Sequence, residues 1–322
     1  MAKTSQSVAP QSIGILPIPG FALMSYACVV EPLRAANLLS GRVLYDITHF
    51  APAGRSRSSG SAGIEAAAPI GGAPALDVLF VVAGGDPAGF DDAKTLAWLG
   101  RLARRGVRLG GVSGGPVILA RAGLMAGRRM TVHWDHAPAL AEMAPGLLLE
   151  RSLYVIDRDR VTCAGGTAPL DLMHALIASD QGSIFARRVS DWFLHTDIRP
   201  SGGPQRGGLA ERLGTTSAPI LDAVAAMESH IADPLTLGQL AGGAGTSPRH
   251  LNRLFRDQIG APTMQFYRDL RLDLARGLIG TSGLAITEIA LATGFASSAH
   301  FSRAFAARFG HPPRLLRRPA GR

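Results

Sequence analysis

The sequence predicts an α/β domain with a doubly wound, flavodoxin-like parallel sheet, followed by an all-α domain with two helix-turn-helix units. Three observations support this fold class. Short apolar runs alternate with helical patterns in the first half, a Gly/Pro-rich stretch follows near residue 200, and the remainder repeats one helical pattern twice. The length of 322 residues and the 47% content of hydrophobic side chains suit two domains, each with its own core.

The first half has the alternating pattern of a doubly wound sheet. Strands are predicted at 12–17, 45–50, 78–83, 107–112 and 160–164, and helices at 22–39, 91–104, 116–122, 136–143, 168–179 and 184–194. The run from Val78 to Ala83 is apolar at every position. Such a strand is typical of the middle of a parallel sheet that helices cover on both faces.

Composition sets the domain boundaries and excludes several classes of protein. We expect a disordered N-terminus at 1–11, an α/β domain at 12–197, a linker at 198–216 and a second domain at 217–318. Two cysteines, Cys28 and Cys163, are too few for a disulfide framework, and both are expected to be buried apolar residues. The apolar stretch 15–30 is too short to span a bilayer and continues as a helix into 31–37, so we expect a cytoplasmic protein without a membrane partner.

The second half contains an internal repeat, in which residues 239–262 match residues 288–312. Matching pairs include Leu240 with Ile289, Ala241 with Ala290, Gly245 with Gly294, Arg253 with Arg303, Phe255 with Phe305, Gly260 with Gly310 and Pro262 with Pro312. Each copy predicts a short helix, a glycine turn and a second helix capped by Ser247 or Ser297. A connecting helix at 263–278 joins the two copies, which have the helix-turn-helix pattern.

The exposed faces of the two second helices carry candidate DNA-binding side chains. Residues 201–322 hold 14 basic and 8 acidic side chains, against 19 and 16 in residues 1–200, and such a basic segment favours a polyanion such as double-stranded DNA as the partner. The candidates are Arg249, Asn252, Arg253 and Arg256 in the first copy, and Ser298, His300, Ser302 and Arg303 in the second. Arginine can recognise guanine and asparagine adenine. An equally weighted alternative is that Arg253 and Arg303 are structural or contact phosphates.

The first half contains a possible nucleophile. Gly111-Val-Ser-Gly-Gly115 has the G-x-S-x-G pattern of a nucleophile elbow between a strand and a helix, with Ser113 at its centre. His133, Asp135 and His136 follow and could supply a base. A hydroxyl needs a positioned base to act as a nucleophile, so a serine hydrolase or amidase is one interpretation and a binding cleft is the other.

Both halves resemble known families. Residues 218–317 resemble the AraC/XylS DNA-binding domain, above all in Ile286-Thr-Glu-Ile-Ala-Leu-Ala-Thr-Gly-Phe295, in His300-Phe-Ser-Arg-Ala-Phe305 and in Gly310-His-Pro-Pro313. Residues 12–190 resemble the ThiJ/PfpI (class I glutamine amidotransferase-like) family, through Glu31, Gly84-Gly85, the elbow and Thr131-Val-His-Trp134. The family's enzymes have cysteine at the elbow, where this chain has Ser113, and they also use a glutamate matching Glu31 and a histidine near His133.

The combination of these two domains is similar to that of the GlxA-type regulators. That resemblance implies a DNA-binding transcriptional regulator, without catalytic residues, whose cleft senses a small molecule. We also expect the α/β domain to form a homodimer, which would place two DNA-binding domains on paired half-sites. Segments 31–37, 120–124 and 163–167 look most like the branch that responds to arginine, glycine betaine or carnitine. We therefore expect an amine or quaternary ammonium carboxylate as the effector and an activator of catabolic genes, with no cofactor or metal.

Five residues are the candidate ligand contacts: Glu31, Ser113, Gly114, His133 and Trp134. Glu31 could face the cation, Trp134 could offer an aromatic face, and backbone N–H groups near Gly114 could bind the carboxylate. The alternatives are that Trp134 is a core residue, which is the commoner case for such a tryptophan, and that His133 and His136 are hydrogen-bonded structural groups rather than ligand contacts.

Overall fold

The computed structural model describes residues 9–72 and 74–316, and contacts divide the chain into two compact units, Met1–Gln205 and Arg206–Arg322. The predicted disordered segment 1–11 and the end of the predicted second domain at residue 318 lie partly outside the described residues. No helix in the described ranges is long and apolar enough to cross a membrane.

A mostly parallel sheet forms the centre of the first unit. The strands of the described residues are β1 (Gln11–Pro17), β2 (Tyr45–Ala51), β3 (Arg55–Arg57), β4 (Gly63–Glu65), β5 (Ala68–Pro69), β6 (Val78–Ala83), β7 (Arg108–Ser113), β8 (Arg129–Met130), β9 (Leu148–Leu149), β10 (Tyr154–Asp157) and β11 (Arg160–Cys163). Seven form one sheet in the order β10-β11-β7-β6-β1-β2-β5. All neighbouring pairs are parallel except β10 and β11. The five predicted strands are all present.

Helices cover both faces of this sheet, as the doubly wound prediction requires. They are α1 (Leu23–Ser40), α2 (Ala93–Arg104), α3 (Gly115–Arg121), α4 (Ala137–Met143), α5 (Ala168–Gln181) and α6 (Ser183–Trp192). On one face α1, α5 and α6 bury residues such as Leu33, Leu172 and Val189. On the other face α2, α3 and α4 bury Trp98, Ile118 and others. Each helix therefore covers the apolar strands with one face.

The antiparallel edge of the sheet was not predicted from the sequence. Strands β10 and β11 are joined by a tight turn at Arg158-Asp159, and Arg158 adopts a φ of 56° there. Hairpin turns that need positive φ usually contain glycine or asparagine, which this turn lacks. The turn is therefore not recognisable from its composition.

The segment 198–216, expected to be a linker, is structured over much of its length. Arg199 binds Asp171 on α5, the Ser201 carbonyl accepts from the backbone N–H of Leu153, and Gln205 donates hydrogen bonds to the first unit. A short helix, α7 (Leu209–Leu213), lies near the other end. Residues 206–208, between these parts, are exposed.

The second unit is all helical and contains the predicted tandem. Its helices are α7, α8 (Ala218–Ser229), α9 (Leu237–Gly243), α10 (Pro248–Ile259), α11 (Thr263–Thr281), α12 (Ile286–Ala292) and α13 (Ser298–Phe309). The pairs α9–α10 and α12–α13 are the two helix-turn-helix units, and α11 connects them. Leu240, Leu251, Phe255 and Tyr267 belong to a core shared by α8, α9, α10 and α11.

Candidate functional sites

Ser113 lies at the sharp turn between β7 and α3. Its φ of 59° is in the left-handed region, which a non-glycine residue occupies at a cost of about 1–3 kcal/mol. The turn is tight because α3 packs closely on β6: a Cβ at Gly115 would lie 2.0 Å from the Val81 carbonyl oxygen. The G-x-S-x-G spacing thus has the strained geometry of a nucleophile elbow, with the Ser113 side chain fixed at the carboxyl end of the sheet.

Three segments meet around the elbow: the start of α1, the loop after β11, and the segment Thr131–Trp134. A Cβ at Gly165 would lie 2.6 Å from Ser113 Cβ and 2.9 Å from Ser25 Oγ, so Gly165 lies between these two serines. The Gly166 N–H donates to Ser25 Oγ over 2.9 Å. The His133 N–H donates to the Ser113 carbonyl over 3.3 Å. Ser25 and Gly165 were not among the predicted contacts: no motif includes Ser25, and segment 163–167 was noted only for its family resemblance.

Two histidines beside the elbow are held in their neutral forms. Burial lowers the pKa of His133, and burial followed by the proximity of His133 lowers the pKa of His136 to about 4. His133 Nδ1 accepts a hydrogen bond from the Asp135 N–H over 3.3 Å. His136 Nδ1 is buried and has no hydrogen-bond partner among the described residues. Both rings can therefore offer polar atoms to a bound molecule without carrying charge.

The structure brings together some of the five predicted ligand contacts. Ser113, Gly114, His133 and Trp134 are adjacent, and the Trp134 and His133 ring centroids lie 5.2 Å apart. Trp134 is 43% exposed, so the alternative that it is a core residue is wrong. Both cysteines, Cys28 and Cys163, are buried, as predicted.

Gly114 and Glu31 differ from their expected roles. The Gly114 N–H already donates to the Ala83 carbonyl over 3.0 Å, and Pro116 has no N–H. The start of α3 therefore has fewer free N–H groups to bind a carboxylate than expected. Glu31 Oε2 accepts from Arg34 Nε and Nη2 over 2.8 and 2.6 Å. The α1 side chain at the elbow is Ser25, six residues or about 9 Å along the helix before Glu31.

The elbow has no assembled base. Among the hydrogen bonds of the described residues, none joins Ser113 Oγ to a histidine. The same ranges contain no group of three His, Cys, Asp or Glu side chains that could hold a metal ion. The described residues therefore place a fixed Ser113 hydroxyl beside imidazoles whose pKa values are lowered by burial.

The two helix-turn-helix units present their second helices in the same way. Ser247 Oγ caps α10 and Ser297 Oγ caps α13, each accepting from the N–H three residues later over 3.2 Å. The turns contain Gly245 and Gly294, both with positive φ. The matching sequence positions thus form matching structures.

Seven of the eight predicted DNA contacts have side chains in positions that suit that role. Arg249, Arg253, Arg256, Ser298, His300 and Arg303 are exposed, and Ser302 is half-buried. Arg253 Nη2 lies 3.0 Å from His250 Nδ1, while the ring of His300 packs edge-on against Phe295 at 5.7 Å. Among the predicted contacts, α10 therefore offers three exposed arginines, whereas α13 offers Arg303 among shorter polar side chains.

Asn252 has a structural role instead. Its Oδ1 accepts a hydrogen bond from the Thr263 N–H over 3.0 Å, at the first residue of α11. Adenine recognition requires this same oxygen as an acceptor for the base amino group. One of the two lone pairs of this oxygen is used by Thr263, so Asn252 attaches α10 to the connecting helix.

Arg271 and Arg308 attach the second helix-turn-helix to the connecting helix α11. These contacts were not predicted from the sequence. Arg271 Nη1 donates to the Gly294 carbonyl over 2.8 Å, and its guanidinium lies 4.6 Å from the Phe295 ring centroid. Arg308 on α13 pairs with Asp269 and Asp273 on α11 at 2.9 and 2.6 Å. These contacts fix the orientation of α13 relative to α11.

Comparison with known proteins gives matches to both halves and to the whole chain. Residues 58–179 match the model of the DJ-1/PfpI family, and residues 240–319 match a helix-turn-helix domain model. The chain is 47% identical to the HTH-type transcriptional regulator GlxA of Rhizobium meliloti, over 100% of both chains. It is 38% identical to the HTH-type transcriptional regulator CdhR of Pseudomonas aeruginosa, over 94% of this chain and 90% of that protein.

A solved structure supports the fold of the first unit. The crystal structure of a ThiJ/PfpI family protein from Pseudomonas syringae matches with a TM-score of 0.52 and 25% identity, over 76% of this chain and 97% of that one. The doubly wound prediction and the DJ-1/PfpI-like architecture are therefore confirmed.

Proposed function

The chain belongs to the family of HTH-type transcriptional regulators that join a DJ-1/PfpI domain to an AraC-type DNA-binding domain, and we propose that a small molecule in the elbow cleft controls its binding to DNA. The observation that carries the proposal is an elbow that keeps its strained geometry at Ser113, while no hydrogen bond among the described residues joins its hydroxyl to a histidine. A ligand acts on such a protein by binding the DNA-competent state more tightly than the other state.

The DNA-binding half of the proposal assigns base recognition chiefly to the exposed arginines of α10. Selection from a library of random duplexes with the full chain yields its preferred sequence. Arg249→Ala should then weaken binding to that duplex by about 5- to 150-fold, since a bidentate contact to a base contributes about 1–3 kcal/mol. Arg42→Ala, an exposed arginine of the first unit with the same charge, is the matched control. Equal losses on the selected and random duplexes would reduce Arg249 to a phosphate contact.

For the effector we propose an amine or quaternary ammonium compound that carries a carboxylate. The exposed Trp134 beside Ser113 and His133 supports this, because an aromatic face attracts such a cation by about 0.5–2 kcal/mol. Calorimetric titration of the full chain with glycine betaine, carnitine and arginine tests it. Trp134→Ala should weaken binding about 2- to 30-fold, whereas Trp192→Ala, which removes a similarly exposed tryptophan, should not. Heat of binding from none of the three compounds would refute this effector class.

A serine hydrolase or amidase is the competing function. Its support is the strained Ser113 φ, and against it stands the lack of a histidine on Ser113 Oγ among the described residues. Incubation with p-nitrophenyl acetate and with simple primary amides tests it directly. We expect no turnover above that of Ser113→Ala; turnover lost in Ser113→Ala would favour the enzyme.

We also propose that the chain acts as a homodimer, with two DNA-binding units on paired half-sites. Sedimentation analysis of the full chain should give twice the 33.6 kDa monomer mass. A monomer at micromolar concentration, with or without the selected duplex, would refute the dimer and leave the DNA-binding activity in place.

A further inference from the structure

The segment Thr131–Trp134 has contacts in two directions. On one side the His133 N–H donates to the carbonyl of Ser113, the residue at the centre of the elbow. On the other side the two preceding residues, Thr131 and Val132, are fully buried and accept hydrogen bonds from Gln205. Gln205 is the last residue of the first compact unit. The Val132 carbonyl and the His133 N–H belong to the same peptide group, so one peptide contacts both the elbow and the end of this unit.

Gln205 is held through its amide nitrogen. Nε2 lies 3.0 Å from Thr131 Oγ1, 3.0 Å from the Val132 carbonyl and 2.8 Å from the Ser152 carbonyl. All three oxygens can accept, so a donor is what this position requires. Thr131 is fixed in turn, since its N–H donates to Thr162 Oγ1 on β11 and its hydroxyl donates to the Ser152 carbonyl. The anchor of Gln205 is thus part of the wall of the elbow cleft.

The anchor is satisfied on one side only. Gln205 Oε1 and the neighbouring Ser152 Oγ are both buried, and neither has a hydrogen-bond partner among the described residues. A buried polar atom without a partner destabilises the arrangement that leaves it so. A small displacement of the segment Thr131–Trp134 is therefore opposed by fewer bonds than a fully paired amide would make.

The rest of the segment 199–205 has attachments of its own, and Arg199 Nη2 also donates to Thr167 Oγ1 over 3.0 Å. Arg199 binds the fully buried Asp171 through Nε and Nη2, at 3.0 and 2.7 Å, and the Ser201 carbonyl accepts from the Leu153 N–H over 2.8 Å. These contacts hold the start of the segment whatever Gln205 does. Release of Gln205 would thus free only the last residues before the second unit.

We infer that Gln205 is the positioning residue through which occupancy of the elbow cleft changes the hold on the chain leading into the DNA-binding unit. The inference rests on the proposed control by a small molecule and adds the path that this control takes. A molecule that moves His133 moves the Val132 carbonyl, and Gln205 is bound to that carbonyl. Because coupling free energies are reciprocal, removal of the Gln205 donor must also loosen the segment that carries His133.

Hydrogen–deuterium exchange of the full chain tests this reciprocity without any ligand. Gln205→Glu keeps the size of the side chain but replaces the donor by acceptors. It should speed exchange of the amides in 131–136 about fivefold, the effect of losing one hydrogen bond. His133→Asn should speed exchange in a peptide spanning 199–213 by a similar factor. Gln181→Glu makes the same change at an exposed position on α5 and should alter neither peptide.

Tryptophan fluorescence shows whether each variant is folded, and Gln205→Leu, which removes the donor without adding a charge, should repeat the result of Gln205→Glu. Native exchange at 131–136 in both folded Gln205 variants, or native exchange at 199–213 in His133→Asn, would overturn the inference. The proposed function fails in a different assay. A chain that enriches no duplex sequence, or that shows no small-molecule response, would refute it whatever the exchange data.

Discussion

Adjacent glycines beside the elbow offer a measurement of how tightly the cleft is packed. Gly165 and Gly166 both have positive φ, 86° and 61°, so alanine at either position incurs backbone strain of about 1–2 kcal/mol. They differ in their surroundings. A Cβ at Gly165 would lie within 2.9 Å of Ser113 Cβ, Ser113 Cα and Ser25 Oγ, whereas a Cβ at Gly166 would meet nothing within 4 Å.

The expected magnitudes follow from this difference. Gly166→Ala should cost only the strain, and Gly165→Ala should cost about 1–3 kcal/mol more, since overpacking a fixed core site has that effect. For a unit of this size, each kcal/mol lowers Tm by about 2–4 °C. Gly165→Ala should therefore melt about 2–12 °C below Gly166→Ala. It should also bind the effector more weakly, because Ser113 and Ser25 must separate.

The assay can follow the first unit alone within the full chain. All three tryptophans, Trp98, Trp134 and Trp192, precede Gln205, and Trp98 is fully buried against Phe50 with ring centroids 5.0 Å apart. Thermal and urea unfolding monitored by tryptophan fluorescence therefore report on this unit. Equal stability of the two variants would show that the elbow can relax around a methyl group, and it would refute the close contact.

Three further predictions concern charge and the connecting helix. Folding lowers the pKa of His136 from 6.5 to about 4, so the unfolded chain binds the proton more tightly. The free energy of unfolding should therefore reach its full value above pH 6.5 and fall by about 2 kcal/mol between pH 7 and pH 5. Urea unfolding of His136→Asn should lack this loss. Asn252→Ala removes the acceptor at the start of α11 and should cost about 1 kcal/mol in denaturation experiments, while weakening selected and random duplexes equally. Arg271→Met removes the hydrogen bond to the Gly294 carbonyl and should weaken DNA binding. Arg276 is an exposed neighbour on α11, and Arg276→Met should have a smaller effect. Similar losses in both variants would refute the role of Arg271.

Much of the fold was predictable because the apolar periodicity of the sequence identifies its helices and strands. The run 78–83 is buried along its whole length as β6, and the internal repeat gave both helix-turn-helix units with their caps at Ser247 and Ser297. The antiparallel β10–β11 edge was not predicted, because its turn has Arg158 at positive φ and contains no glycine. Such a turn depends on pairing with the neighbouring strand, which local sequence does not reveal.

The site was predictable in part, for a similar reason. The elbow motif is local, so Ser113 was recognisable, and the nearby His133 and Trp134 followed from the same stretch of sequence. Ser25 and Gly165 reach the elbow from distant parts of the chain, and only the folded sheet brings them there. The hydrogen bond between Asn252 and Thr263 was not predicted, because exposure on a helical wheel does not show that a residue eleven positions later uses this oxygen.

The close fit of Gly294 has a consequence for the length of the operator. A Cβ there would lie 2.5 Å from the Ile231 carbonyl, and the Gly294 carbonyl itself is bound by Arg271. These contacts fix the turn between α12 and α13 against the chain just before α9. The fold of the protein therefore sets the distance between α10 and α13. A duplex that both α10 and α13 contact, as proposed, must match that spacing. Five inserted base pairs would put one contacted segment on the wrong side of the duplex, and ten would restore the side but exceed the reach.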